Sequence, residues 1–402
     1  MTVDRTRIPS DSSPQRLACA ALLLLAACTR QREQEQPAQT PEIVIGVLAD
    51  LTGPTSDVGR LYHEGMLACI DDLNARGGIQ HRRLRALSDD YGYKVPVAEE
   101  KYKKYVQSAA VAVQGWGTGD SEALRRKVAG DELPFMSASY AEVLTDPQQS
   151  PYNFVVAATY SDQIRIALDQ IAAADPGAQV AVFHHDSPFG NAPIADGKQW
   201  IASRGYQLGY QDYAMRSGAT DFVASLQRAQ AQGAKYLIVQ NVASPAATLA
   251  RDIAAKKLDM KVVCLNWCSD ELFIQLAGAA AEGAWMVQPF APPSVPKPGH
   301  APVRQYLAAK GLDLDAQGVH FVQGWYTMQV MASGLEQALA GGELTGKSLR
   351  SALEHMAPVD TGGVIGSVRF SPQSHRGASS AGVYVVQNGK LVERNAPAAP
   401  RS

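Results

Sequence analysis

The sequence predicts an α/β protein built as two doubly wound lobes. From Ile43 onward, strand-like apolar runs alternate with amphipathic helical stretches, the pattern of parallel sheets covered by helices on both faces. The alternation supplies enough strands for two sheets, and 402 residues are enough for two cores. The late helical stretches at about 301–310 and 319–340 have no strand between them. They pack back on the first lobe, so the chain crosses between lobes more than once.

Each element follows from its own pattern. IVIGVLAD (43–50) is nearly all apolar, as a strand buried on both faces must be. A helix over about 59–74 carries Tyr62, Met66, Ile70 and Leu73 on one stripe, and Asn74-Ala-Arg-Gly-Gly-Ile79 stops it. LRALSDD (84–90), a helix over 95–107, AAVAVQGW (109–116), a helix over 121–130 and PFMSAS (134–139) continue the first half. NFVVAA (153–158) leads into the second, where helices over 161–174, 190–204, 220–232 and 245–257 separate QVAVFHHD (179–186), YQLGYQDYA (206–214), KYLIVQN (235–241) and KVVCLNW (261–267). GAWMVQPFA (283–291) follows, and after the late helices AGVYVVQNGKLVE (381–393) reads as a closing hairpin.

The N-terminus carries an address. Arg5, Arg7 and Arg16 precede an apolar stretch, Leu17–Ala27, too short to span a bilayer and suited to a secretory signal. Leu25-Ala26-Ala27-Cys28 resembles a bacterial lipoprotein cleavage box, which makes Cys28 the lipidated first residue of the mature chain and residues 1–27 the leader. The polar, Gln- and Pro-rich residues 28–41 read as a flexible tether. Export to the periplasm or cell envelope follows, with the membrane touched only through the lipid. Of the remaining cysteines, Cys69, Cys264 and Cys268, two can pair in an oxidising compartment, and Cys264 with Cys268 is the local candidate, as a disulfide or as two free thiols.

Composition and motifs exclude several chemistries. A formal charge of −2 offers no basic field for nucleic acid. No GxGxxG follows the first strand, and no P-loop, GxSxG elbow or HExxH occurs, so no cofactor is expected. His184-His185-Asp186 ends a strand, where adjacent side chains point to opposite faces, which disfavours a metal site. Cys264-x-x-x-Cys268 lacks a second ligand pair at zinc spacing. No paired acid and base or activated nucleophile emerges, and the chain is not expected to be an enzyme.

Several segments together resemble the branched-chain-amino-acid type (type I) of periplasmic solute-binding protein, which feeds ABC importers. They are IVIGVLADLTGP (43–54), DDLNARGGI (71–79), LPFMSASYAEVLTD (133–146), VAVFHHDSPFG (180–190), GATDFVASLQRAQAQGAKYLIV (218–239) and LAGAAAEGAWMV (276–287). The resemblance covers about 42–395. It implies two lobes joined by a three-segment hinge, closing on a small ligand delivered to a permease, in a monomer. Lobe 1 is expected to hold 42–158 and about 292–360, and lobe 2 to hold 159–291 and about 361–395. A sensory receptor domain of the same fold and an exported enzyme are the competing classes; the first usually signals through a transmembrane helix and the second needs a catalytic constellation.

The resemblance also places the site. The turn after the third strand, Gly115-Trp116-Gly117-Thr118-Gly119-Asp120-Ser121, takes the position that holds a ligand carboxylate by backbone N–H groups and hydroxyls at a helix start, with Asp120 or Ser121 as N-cap. Ser137, Ser139 and Tyr140 follow the fourth strand, in a segment one residue shorter than the family pattern. Tyr160 and Phe189 reach the same cleft from the second lobe, and Trp116, Tyr140, Tyr160, Phe189 and Trp267 together imply an aromatic lining. Relatives that bind leucine-like amino acids use a Glu where this chain has Asn266, and the Tyr they place after the preceding strand is absent from QNVASP (240–245), where Asn241 is the candidate contact. An amide cannot neutralise a buried ammonium, so the ligand is expected to be an aromatic or amide-like carboxylate rather than a standard α-amino acid. The alternative is an ordinary amino acid read by Asp270 or Asp57, with Asp270 equally suited to cap the helix after it.

Overall fold

The computed structural model describes residues 41–394, so the leader, Cys28 and nearly all of the tether lie outside the described residues. The first half runs β1 (Ile43–Ala49), α1 (Ser56–Ala75), β2 (Leu84–Asp90), α2 (Val95–Gln107), β3 (Ala112–Gly115), α3 (Thr118–Gly130), β4 (Phe135–Ser137) and a two-residue β5 (Asn153–Phe154). These strands form a parallel sheet in the order β2-β1-β3-β4-β5. All seven residues of β1 are buried, as its unbroken apolar run requires at the centre of such a sheet.

The second half runs α4 (Tyr160–Ala174), β6 (Gln179–His185), α5 (Pro188–Asn191), α6 (Ile194–Arg204), β7 (Gly209–Met215), α7 (Val223–Ala231), β8 (Ala234–Gln240), α8 (Ala243–Lys256), β9 (Lys261–Cys264), α9 (Glu271–Ala277) and β10 (Trp285–Gln288). After α10 (His300–Ala309), α11 (Leu314–Ala340) and α12 (Gly346–His355), strands β11 (Gly382–Gln387) and β12 (Lys390–Glu393) close the chain. The second sheet has the order β12-β11-β10-β9-β8-β6-β7. Its last two strands are the expected hairpin, antiparallel, with Asn388 and Gly389 both at positive φ in the two-residue turn.

Both sheets reverse direction in the same way. In the first, β1 and β3 are neighbours with their successors on opposite sides; in the second, β6 and β8 are. Ligands in doubly wound sheets sit beyond the strand ends at such a switch point. The cleft should therefore be lined by residues just after β1, β3, β6 and β8.

The late helices pack as the missing strands foretold. Helix α11 lies along α1 at a close crossing: a Cβ on Gly65 would fall 2.0 Å from the Phe321 carbonyl oxygen, and one on Gly324 1.9 Å from that of Tyr62. Glycine at both positions lets the two backbones touch.

The crossing segments run side by side. Val155 N–H donates to His375 O at 3.0 Å, Gly377 N–H donates to Val155 O at 2.7 Å, and Ala291 N–H donates to Val364 O at 2.7 Å. Residues up to about 378 stay beside β5, where the His375 ring bonds Asn153 O at 2.8 Å and the Glu354 carboxylate of α12 at 3.0 Å. Arg376 holds this crossing to Glu142 and Asp162.

Candidate functional site

The strand ends do converge. Thr55 after β1, Trp116, Gly117 and Thr118 after β3, Phe189 after β6 and Val242 after β8 enclose a chamber with about 20 Å³ of free space, completed by Tyr93, Tyr160 and Trp267. That is room for about one water molecule. A larger hollow of about 940 Å³ lies on the outer face between α1, α10 and α11, away from the strand ends.

The first-sheet wall is held by its own lobe. The Trp116 indole N–H donates to Thr55 Oγ1 at 2.8 Å, and Thr55 donates to Asp50 Oδ2 at 2.7 Å. Asp50 also accepts the Gly53 and Thr55 backbone N–H groups at 2.6 and 2.9 Å. Behind the turn, Thr118 and Ser139 share a hydroxyl hydrogen bond of 2.8 Å, and Ser139 N–H donates to Ser137 Oγ at 3.2 Å.

The helix start differs from the expected one. Helix α3 begins at Thr118 with Gly117 as N-cap, so Asp120 and Ser121 are already inside its first turn. The Asp120 carboxylate accepts the Tyr91 hydroxyl at 2.7 Å, leaves Oδ2 without a partner, and is pushed up to about 7 by burial. Gly119 lies between Val95 of the first half and Pro188 of the second, at the rim of the cleft.

The second wall is aromatic. The Trp267 indole N–H donates to the Tyr160 hydroxyl at 3.0 Å, and burial pushes that hydroxyl up to about 12. Trp267 meets Trp116 edge-on at 4.8 Å between ring centroids and stacks on Tyr140 at 5.8 Å. Tyr160 packs edge-on against Phe189 at 5.4 Å. Such pairs favour offset or edge contacts, and here they link both lobes into one cluster.

Of the residues expected at the site, Trp116, Gly117, Thr118, Tyr160, Phe189 and Trp267 line the chamber; Ser139 and Tyr140 stand directly behind it, and Ser137 supports Ser139. Three others turn away. Asn241 accepts the Val242 N–H at 2.8 Å and faces the Met215 sulfur. The Asn266 oxygen accepts from Gln323 Nε2 at 2.6 Å, deep in a carboxamide cluster with Gln163 and Gln288. Asp270 caps α9 through the Phe273 N–H at 2.6 Å and meets His320 Nε2 at 2.7 Å. Asp57 is taken up by the Ser244 N–H and hydroxyl across the mouth of the cleft, at 3.0 and 2.7 Å, and burial raises its pKa.

The cysteines are not bridged. Cys69, Cys264 and Cys268 are free and buried; the Cys268 thiol points at the carbonyl oxygens of Val239 and Leu265, at 3.4 and 3.5 Å, and burial raises the Cys264 pKa well above normal. His184 and His185 diverge as strand alternation demands, the first toward Asp212 and the second onto Ser187, and no metal-binding group is found among the described residues.

Sequence reasoning missed Thr55, Tyr93, Val242, His320 and Gln323. The first and third follow switch-point strands and become visible once strand order is known. His320 and Gln323 carry no local signal, because they reach the loop after β9 from α11, 50 and 57 residues along the chain from their partners Asp270 and Asn266.

Comparison with known proteins agrees with this architecture. Residues 42–390 match the family described as periplasmic binding protein. The Leu/Ile/Val-binding protein homolog 3 of Brucella melitensis is 21% identical over 363 residues, covering 87% of this chain and 93% of that protein. A branched-chain amino acid ABC transporter protein of Thermus thermophilus with bound valine superposes with a TM-score of 0.83 at 24% identity, covering 89% and 96% of the two chains. A fatty acid ABC transporter substrate-binding protein of Thermomonospora curvata gives 0.77 at 19% identity, covering 88% and 92%. Two switch-point sheets facing one chamber, and a family match over nearly all the described residues, place the chain in the periplasmic binding protein family, among the type I members that include the Leu/Ile/Val-binding proteins.

Proposed function

We propose that the mature chain is a lipid-anchored, extracytoplasmic solute-binding protein that captures a small carboxylate-bearing ligand between its lobes and delivers it to the permease of an ABC importer. Cys28 carries the lipid and residues 28–41 form the tether. The favoured ligand is an aromatic or amide-like acid without an α-ammonium group. The observation that carries this is the composition of the chamber wall: five aromatic rings, the Thr55 and Thr118 hydroxyls and the first turn of α3, with no acidic side chain. Hydroxyls and free N–H groups at a helix start suit an anion. An ammonium would have to be neutralised; of the nearby acids, Asp57 and Asp270 are committed to Ser244 and His320, and Asp120 stands behind Gly117, bonded to Tyr91 and pushed toward its neutral form by burial. One fold neighbour is named for fatty acids, which are acids with no ammonium.

The second reading is an ordinary branched-chain or aromatic amino acid, favoured by the names of the Brucella and Thermus relatives. Thermal shift of purified residues 29–402 separates the two, using one panel of amino acids and one of aromatic and other small carboxylates. A ligand at about 100 times its dissociation constant stabilises by roughly 2.7 kcal/mol. A shift with acids lacking the α-amino group is the expected result. A shift with leucine, valine or phenylalanine alone overturns the preferred ligand class.

A further inference from the structure

We propose that His320 is a positioning residue of the cleft: a buried imidazolium, fixed between Asp270 and Gln323, that holds Trp267 in the chamber wall and fastens the loop after β9 to α11. The two elements belong to different halves of the molecule. The loop 265–270 follows a strand of the second sheet, whereas α11 lies along α1 of the first.

The ring's protonation can be read from the backbone outward. Gln288 Nε2 lies 3.2 and 3.0 Å from the carbonyl oxygens of Asn266 and Ser269, which only accept, and its Oε1 accepts the Phe290 N–H at 3.3 Å. That fixes the Gln288 amide. Its Oε1 also faces Gln323 at 3.1 Å, so the Gln323 atom there is the nitrogen, which donates to Asn266 Oδ1 as well. The Gln323 atom turned toward His320 is therefore an oxygen, and His320 Nδ1 must carry a proton to meet it. On the other side Nε2 meets Asp270 Oδ2 at 2.7 Å, while Asp270 Oδ1 accepts the Phe273 N–H. A carboxylate there makes Nε2 a donor too. With a proton on both nitrogens the ring is a cation, and both its N–H groups are satisfied.

The surroundings support that charge. Asp270 and Glu271 face His320 from the start of α9, and the Asp57 carboxylate of α1 lies near Asp270. Gly318, at φ 74° and ψ −175°, breaks α11 just before Val319; the freed Val319 N–H donates to Glu271 Oε2 at 2.9 Å, so the second contact ties the same two elements. Both partners of the ion pair are almost wholly buried, at 1 and 2% side-chain exposure. Burial alone works against the charged ring, yet the hydrogen bond to Asp270 outweighs it and the pKa lies above 6.5. Trp267 stacks on this ring at 5.1 Å and 27°, a favourable place for an aromatic face beside a cation. His320 thus acts on the chamber through Trp267 without lining it.

The functional consequence rests on the cleft being the ligand site, but the protonation and the stacking are read without any ligand, so failure of the two readings is distinguishable. In nitrogen-detected NMR of the histidine-labelled chain, one ring should keep both nitrogens protonated to a higher pH than an ordinary imidazole, a signal absent from His320→Gln. A ring with a single protonated nitrogen already below pH 6.5, meaning a neutral ring beside a protonated Asp270, would overturn the proposal. Indole fluorescence gives the second readout, because an imidazolium stacked on Trp267 quenches it. Raising the pH should release the quench, and a Trp267→Phe background should abolish that change. Asp270→Asn keeps the ring in place if His320→Gln does not fold. It should move the midpoint of the release down by a pH unit or more, and an unmoved midpoint refutes the pairing.

Discussion

Trp116 and Trp267 face each other across the chamber 4.8 Å apart, yet they are held in opposite ways. Trp116 hangs from Thr55 and Asp50, all within the first β1–β3 switch point. Trp267 is fixed by Tyr160 from the second half and stacked on His320 of α11, which packs on the first. One wall is complete within a single lobe. The other draws its supports from both, so its geometry depends on how the lobes meet. Under the proposed capture of a ligand between the lobes, the second wall is the one that reports closure.

The largest way to break this contrast is to delete Trp267. Trp267→Ala removes a buried ring in contact with Trp116, Tyr62, Tyr140 and His320 and should cost about 3–5 kcal/mol in urea unfolding, along with most ligand-dependent stabilisation. Unchanged ligand response would remove the loop from the site.

Asp120 sharpens the comparison by pH, since it belongs to the first wall alone. Its folded pKa of about 7 stands above the ordinary 3.8, so its contribution to stability is full below about pH 3.8 and is lost as the pH rises through 7. Glu271, also raised to about 7 by burial, acts in the same direction from 4.5 upward on the second wall. His320, raised above 6.5 by its Asp270 bond against the effect of burial, loses its contribution as the pH rises from 6.5 upward. Asp120→Asn should therefore lessen the fall in stability between pH 4 and 7, by roughly 1.4 kcal/mol per pH unit, and leave the declines due to Glu271 and His320 in place. Thermal unfolding across that range is the measurement. An unaltered slope throughout would show that Asp120 is not the titrating group.

Smaller effects follow. Thr55→Val leaves the Trp116 N–H without a partner and takes one of its two hydrogen bonds from Asp50 Oδ2, and should cost about 1–3 kcal/mol by denaturant unfolding, with the Trp267 fluorescence response to pH intact. Ser244→Ala removes a partly exposed hydroxyl from the Asp57 link between the lobes and should cost about 0.5 kcal/mol, read in a double-mutant cycle with Asp57→Asn. A coupling several times larger would make that link, and not His320, the main fastening between the halves.

Much of the site was legible because it lies in local segments. A glycine-rich turn after an apolar strand announces a helix start near the cleft, and Trp116, Gly117 and Thr118 are found there. Aromatic residues just past strands, Tyr160, Phe189 and Trp267, reach the chamber because parallel strands end together. The differences between expectation and structure concern direction. Asn266 sits in the expected loop but points into a cluster assembled from α4, β10 and α11. Asp120 has the chemistry of a cap, yet the helix starts three residues earlier because Gly117 adopts the extended conformation of an N-cap at φ −83° and ψ 164°. Cys264 and Cys268 have spacing that permits a bridge, and the thiol of Cys268 is instead turned to carbonyl oxygens.

The order of strands and helices, the burial of β1, the two-residue hairpin turn and the packing of the late helices on the first lobe were determined by the sequence itself, because each depends on periodicity, turn chemistry or a missing strand within one stretch of chain. The tertiary structure alone decided which side chains face the chamber and which ring carries a charge. Those outcomes depend on hydrogen bonds between residues as far apart as Asn266 and Gln323, or Asp270 and His320, and in a buried site the satisfaction of every donor and acceptor sets the orientation of each group.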